Sequence, residues 1–515
     1  LPTARISVEV LRMTAFAADL HGHAERRWGT GASTLTPMLD RLTTMLALIE
    51  EQPSVEPGRW PPAALPPARV PRFHVAPPPS GADLCDAGVA ALAAGVARGS
   101  ISTVALVEVL LARVAALQPS LEAWAALDGE RARAAARQRD AEARAGNLRG
   151  ALHGVPLGIK DIIDVAGLPT RANSTVRADA PPAADDAHCV ALLRAAGALI
   201  LGKTATTEFA LSDPSGARNP WNTAHTPGGS SSGSAAAVAA RMVPGALGTQ
   251  TAGSVLRPAA FCGIVGFKPT TERVSRRGVL PLAWTLDHVG TLTRSVADTT
   301  LLYGAITAAT TEDHPVARPR IGFAPGFLTE HTDEATRDAL QSAAQRLARQ
   351  GAHLEPLDLG DFGPTALAVH QLIMASEVAA YHLGIHGERL AELGPRLRTI
   401  VQSGALIPAR ALLHAQGLRR LLWQRWNAVF TRFDAVIVPA APGIAPAGLE
   451  STGDASLNGP WSLLGVPACT LPVTVTAEGL PLGLQLVAPY GEDARLLAVA
   501  AWCEQMLDFH ARPAG

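Results

Sequence analysis

Between Gly228 and Pro258 the chain places four serines in Gly-Gly-Ser-Ser-Ser-Gly-Ser and a fifth in Gly-Thr-Gln-Thr-Ala-Gly-Ser. Core positions usually carry larger apolar side chains, because these bury more area. Gly and Ser are favoured instead where backbone must approach a ligand closely and hydroxyls must be presented without bulk. This composition points to a serine hydrolase.

Three narrower motifs compete for the same region. Gly229-Ser-Ser231-Ser-Gly233 has the letters of the nucleophile elbow, but the histidines that follow, from His288 to His510, lie in no convincing catalytic context. Gly197-x-x-x-x-Gly202-Lys203-Thr204 has the letters of a phosphate loop. Its intervening Ala-Leu-Ile-Leu reads as a strand, which cannot wrap its amides round phosphates, so Lys203 reads as structural. Cys262, eight residues after Ser254, reads as a small buried apolar residue rather than a thiol nucleophile.

A wider pattern absorbs more of the chain. Gly228-Gly-Ser-Ser-Ser-Gly-Ser-Ala-Ala-Ala, Gly248-Thr-Gln-Thr-Ala-Gly-Ser-Val-Leu-Arg-Pro-Ala and Gly266-Phe-Lys-Pro-Thr together resemble the amidase signature family of serine amidohydrolases. Gly154-Val-Pro-Leu-Gly-Ile-Lys160-Asp resembles that family's lysine motif. Gly202-Lys-Thr-Ala-Thr-Thr-Glu-Phe-Ala, Leu286-Asp-His-Val-Gly and Gly479-Leu-Pro-Leu-Gly-Leu-Gln-Leu-Val resemble further blocks, so the likeness runs from about Leu84 to the end. It implies Ser254 as nucleophile, Ser230 in a cis peptide as bridging hydroxyl, and Lys160 as base. The two serines stand twenty-four positions apart, as the family's serine motifs do. The backbone amides of Thr251, Ala252, Gly253 and Ser254 would then form the oxyanion hole. The implied chemistry is sound: a lysine can take a proton only when neutral, and burial lowers its pKa. A hydroxyl between base and nucleophile can donate and accept at once, and Ser-Lys variants of triad logic are established. No metal or organic cofactor is implied.

The match departs from the family where Gln250 stands for a common Asp and Leu256 for a common Arg; Ala252 replaces a frequent Gly. Losing both members of a charge pair is tolerable, whereas losing one strands a buried charge. Arg257, one position further on, is a candidate substitute. The expected result is an uncharged rim beside Ser254, with Leu256 in it and with Trp461 and Trp284 as candidate aromatic pocket walls.

These groups need a framework to hold them. Leu157-Gly-Ile, Ala198-Leu-Ile-Leu, Gly263-Ile-Val-Gly-Phe, Ile321-Gly-Phe, Ala435-Val-Ile-Val and Leu482–Val487 read as strands. Helices are expected at His188–Ala196, Ser234–Arg241, Ser295–Thr307, Asp333–Gln350 and Ala494–Met506, with a helical region from Leu84 to about Ala145. Strands alternating with helices imply an α/β fold, and the resemblance sharpens it to a central mixed sheet flanked by helices. Residues 365–433 read as a helical cover. Residues 1–52 form an N-terminal extension, with two helices expected over Ile6–Glu51. In the second, Met38, Leu39, Leu42, Met45, Leu46 and Ile49 share helical spacing, with Thr36 as cap before Pro37. The proline-dense stretch 53–80 reads as an extended linker, and the family domain as 81–515. The helix–proline layout resembles the small helical subunit that partners some family members, here fused.

Composition sets the outer limits. Apolar residues make up 48% and charged residues 17% of 515, which describes a globular chain with a large core. A net charge of -1 gives no electrostatic footprint for nucleic acid or an anionic membrane, and no apolar run approaches the length of a span. Five widely spaced cysteines suit reduced thiols in a cytoplasm and offer no metal-ligand spacing. The first residues show no signal pattern, and as the chain opens on Leu1 its natural start is expected upstream. The expected activity is cleavage of an amide-type C–N bond in a neutral amide, aryl amide or carbamate, by a chain that pairs as a homodimer. The alternatives are the glutaminase component of an aminoacyl-tRNA amidotransferase and a scaffold without chemistry.

Overall fold

The structure, a computed structural model, describes residues 19–53, 55–57, 59–61, 63–81, 83–324 and 331–514. Thirteen strands occur among them in chain order: β1 (Arg69–Pro71), β2 (Trp124–Leu127), β3 (Pro156–Lys160), β4 (Leu199–Thr204), β5 (Gly245–Gln250), β6 (Val265–Lys268), β7 (His288–Thr293), β8 (Thr310–Glu312), β9 (Arg320–Phe323), β10 (His353–Pro356), β11 (Ala435–Pro439), β12 (Ala468–Val475) and β13 (Pro481–Val487). Eleven form one mixed sheet in the order β10-β9-β11-β13-β12-β6-β7-β5-β3-β4-β2, and β1 pairs with β8 apart from it. The α/β architecture with helices on both faces follows from the alternation of β11. Ala435 and Ile437 enter one apolar core, Val436 and Val438 the other. The helices Glu334–Arg349 and Asp493–Leu507 share the first core, and the cover helices Phe362–His386 and Ala409–Val429 the second.

All six expected strands are present, as are the five expected helices, within a residue or two at their ends except β4, which runs three residues further than expected. The Leu84–Ala145 region resolves into helices Val89–Ala97, Thr103–Leu121 and Gly129–Arg144, with β2 between the last two. Thr103–Leu121 corrects one expectation, because by length and composition it could cross a membrane. Glu108 and Arg113 interrupt its apolar run and hid this from the sequence reading. Here it buries Leu106, Val107, Leu110 and Val114, while Glu108 binds Arg133 and Arg113 Nε donates to the Ala240 carbonyl at 2.7 Å.

The N-terminal expectation over residues 6–18 lies outside the described residues. Beyond it come helix Leu20–Trp28, a 3-10 segment Gly29–Leu35 and helix Thr36–Glu50. Thr36 is the first helical residue rather than the cap, which falls on Leu35 because the 3-10 segment runs straight into the helix. Leu39, Leu42, Leu46 and Ile49 pack into the same core as Val369, Leu372 and Trp426, so the extension is built onto the cover. The linker is strapped down as well. The Arg419 guanidinium lies 3.5 Å from the Trp60 ring centroid, and His414 Nε2 donates to the Pro53 carbonyl at 3.3 Å.

Candidate active site

Strands β3 and β5 are parallel neighbours, so their carboxyl ends meet at one edge of the sheet. Open α/β sheets bind ligands at that edge. β3 ends on Lys160, and β5 runs from Gln250 into the loop 251–254, which leads to helix Leu256–Phe261. The serine-rich run approaches from the side as helix Ser232–Ala239, seated flat on these strands by its small residues. Ser231 Oγ donates to the Thr249 carbonyl at 3.2 Å and Ser234 Oγ to the Leu247 carbonyl at 3.0 Å. At Gly233 even a methyl group would run into the Ala123 carbonyl and the Ala205 amide.

Lys160 is fully buried and its Nζ makes short contacts with two hydroxyls, Ser230 Oγ at 2.7 Å and Thr249 Oγ1 at 2.8 Å. Burial drives its pKa well below the usual lysine value, with Asp287 pulling weakly the other way. A neutral amine has one lone pair and two N–H bonds, so one of those hydroxyls can donate to it. The Gly229–Ser230 peptide is cis, as the resemblance implied. Arg257 holds its carbonyl: Nη2 donates to Gly229 O at 2.7 Å and to Thr452 Oγ1 at 3.1 Å, while Nη1 donates to Gly453 O at 2.9 Å. Burial lowers the Arg257 pKa to about 10, and Asp454 opposes that shift.

All four carbonyls of the loop 251–254 are anchored. Thr251 O accepts from His370 Nε2 at 2.9 Å, Ala252 O from Ser462 Oγ at 2.7 Å, Gly253 O from Arg257 N at 2.9 Å and Ser254 O from Ser231 N at 3.3 Å. Among the described residues, the amides of Thr251, Ala252, Gly253 and Ser254 donate to no other protein group. Asp287 fixes the loop's first side chain, accepting from Thr251 Oγ1 at 2.5 Å and from the Leu282 amide at 2.8 Å. Burial raises the Asp287 pKa to about 6. His370 and His288 serve as carbonyl donors, and burial holds His370 at about 4 and His288 well below its usual range. Each commits one ring nitrogen to a carbonyl, and burial disfavours the imidazolium that a base would become.

The structure therefore brings Lys160 and Ser230 into direct contact and lays Ser254 on the adjoining loop. The Ser230 and Ser254 hydroxyls are not hydrogen-bonded to each other; the Ser231–Ser254 backbone bond ties their two segments together. Ser254, Thr251 and Ala252 line a cavity of about 270 Å³, together with Leu367, His370 and Met374 of the cover and Met38 and Met45 of the N-terminal helix. The other three pocket candidates lie away from its wall. Trp461 is fully buried against Phe362, ring centroids 5.5 Å apart, with its indole donating to the Leu457 carbonyl. Trp284 is 44% exposed and meets Tyr381 edge-on, and Leu256 turns into the apolar core. Gln250 fills the vacated charge position with three hydrogen bonds: Oε1 accepts from the Val255 and Leu256 amides, and Nε2 donates to Ser462 Oγ. Lys203 lies inside β4 and pairs with Asp161 at 2.8 Å, which explains the spurious phosphate-loop letters. Cys262 is buried and its thiol pKa is pushed up by desolvation.

Sequence reasoning missed His370, Ser462 and the N-terminal lining residues. They reach the site from distant parts of the chain, and only the Leu286-Asp-His block gave notice of any anchoring group.

The family model described as Amidase matches residues 105–497. The A-type chain of glutamyl-tRNA(Gln) amidotransferase from Roseiflexus sp. (strain RS-1) is 35% identical over 467 residues, covering 81% of this chain and 95% of that protein. A solved complex, described as vestigial and as revealing the evolutionary origins of an s-triazine catabolic enzyme, superposes with a TM-score of 0.76 at 31% identity, covering 83% of this chain and 100% of that one. Peptide amidase from Stenotrophomonas maltophilia superposes with a TM-score of 0.70 at 30% identity, covering 83% and 98%. Each relative is matched almost end to end, whereas about a sixth of this chain has no counterpart in them.

Proposed function

The chain belongs to the amidase family, and from that premise we propose that it hydrolyses an amide-type C–N bond of a small molecule through an acyl-enzyme on Ser254. The observation that carries this reading is a buried lysine in contact with Ser230, beside a loop of four undonated amides that begins the approach to Ser254. Ser254 Oγ attacks the carbonyl carbon as its proton passes to Ser230, whose own proton moves to the Lys160 lone pair. The oxyanion forms against the amides of residues 251–254, where each donor is worth about 3 kcal/mol. Lys160, now an ammonium, returns the proton through Ser230 to the leaving nitrogen, and the C–N bond breaks. Water then repeats the sequence on the ester, releasing the acid and restoring Ser254.

The substrate classes we propose are neutral amides, aryl amides and carbamates. Two features support them: the Gln250 amide is spent on backbone and on Ser462, and the two Arg257 amino groups are held by the Gly229 and Gly453 carbonyls and Thr452 Oγ1. Gln250 brings no charge to the site, and both Arg257 amino groups are committed to protein oxygens. The five free, buried cysteines support a reducing compartment, the cytoplasm.

A second reading draws on the curated relatives, which are named as chains of glutamyl-tRNA(Gln) amidotransferases and match over most of their length. In that reading glutamine is the amide, and its ammonia passes to a partner chain. One experiment separates the two. Purified chain and Ser254→Ala are assayed on glutamine, primary amides, anilides and carbamates. The first reading expects turnover of the small-molecule panel, slow or no glutaminase activity, and loss of at least about 10³-fold in the variant. Glutamine turnover that dominates the panel would establish the second, and an active Ser254→Ala would overturn both.

A further inference from the structure

Helix Thr36–Glu50 does more than pack. Leu39, Leu42, Leu46 and Ile49 seat it on the cover helices. Met38, Arg41, Leu42 and Met45, spaced i, i+3, i+4 and i+7, form an adjoining stripe that lines the cavity containing Ser254. The chain has six methionines, and three of them, Met38, Met45 and Met374, meet in this cavity. Leu367 and Ile407 complete an apolar wall on the cover side. Methionine is unbranched and polarisable, so such a wall adjusts to apolar groups of different shape. The segment that supplies two of these methionines lies wholly outside the matched family region, residues 105–497.

We infer that helix Thr36–Glu50 is a specificity element: Met38 and Met45 build an adaptable apolar subsite that takes an alkyl or aryl group of the amide or carbamate. The inference rests on Ser254 as nucleophile, and the family region alone would leave this side of the cavity open. Substrates with an extended apolar group are selected over short ones. The selection is made by residues that touch neither the scissile bond nor the oxyanion loop.

The test uses the full chain and a series of alkyl fluorophosphonates from methyl to decyl, with labelling of Ser254 followed by mass shift. The second-order rate should climb about fourfold for each methylene that enters the subsite and then level off. Met45→Trp should lower the ratio of long-chain to methyl labelling rates about tenfold. Met38→Ala with Met45→Ala should move the plateau to longer chains, with thermal melts confirming that the variants fold. Chain-length-independent labelling, or variants that slow every probe in parallel, would overturn the subsite. A folded chain that no probe labels would overturn the nucleophile assignment itself, and this inference with it.

Discussion

At the scale of single residues, the decisive quantity is the charge on Lys160. Its folded pKa lies well below 10.5 because it is wholly buried. Catalysis needs the neutral amine, so kcat/KM should rise with pH through that lowered value, and Lys160→Arg, which stays charged, should be inactive throughout. Stability carries the same sign. Between the lowered folded pKa and 10.5 the unfolded chain binds a proton that the folded chain does not, so folding gains stability as pH rises across that window. Urea titrations of wild type and Lys160→Met at about pH 7 and about pH 9.5 should show the wild type gaining relative to the variant; equal slopes would mean the lysine is charged in the fold. The reacting groups were legible in the sequence because the chemistry restricts their identity and the chain holds them in short motifs. Their anchors were not. His370 and Ser462 act through single hydrogen bonds to loop residues far away in sequence, and such contacts leave no local periodicity.

At the scale of elements, the small-residue helix Ser232–Ala239 shows two effects in opposition. Gly in a helix costs about 1 kcal/mol relative to Ala, so Gly233→Ala would stabilise an isolated helix. In the fold the added methyl meets backbone on two sides, the Ala123 carbonyl and the Ala205 amide, which no rotamer change can relieve. Overpacking of this kind costs about 1–3 kcal/mol or more. The steric effect wins, and a lower urea midpoint with loss of activity is expected; an unchanged midpoint would show that the helix can shift off the sheet. The same smallness explains which strands the sequence concealed. β5 reads Gly-Ala-Leu-Gly-Thr-Gln and β7 His-Val-Gly-Thr-Leu-Thr, buried along their whole length. β5 shows neither the alternation of a half-buried strand nor the β-branched density of an ordinary central one, and β7 spreads Val289, Thr291 and Thr293 among His, Gly and Leu. β11 and β13, rich in Val and Leu, were legible for the opposite reason.

At the scale of the whole molecule, the sequence separated an extension, a linker and a domain, whereas the structure joins the extension to the cover in one apolar core. Periodicity can say that Leu39, Leu42, Leu46 and Ile49 face something; it cannot name the partner face, which lies more than three hundred residues away. The strap of residues 53–80 then takes on a meaning beyond spacing. Because the helix it carries is held by side-chain contacts, the strap acts as a tether that keeps that helix at a local concentration of about millimolar. A chain cleaved once between Pro53 and Pro79 should stay whole on gel filtration at high protein concentration and lose its long-chain preference on dilution, with recovery when the separate N-terminal peptide is added in excess. Failure of the peptide to restore that preference would mean that the covalent link, and not the fit, keeps the helix in place. Connectivity thus turns what could be a two-component, dilution-sensitive enzyme into one whose selectivity is independent of how much of it is present.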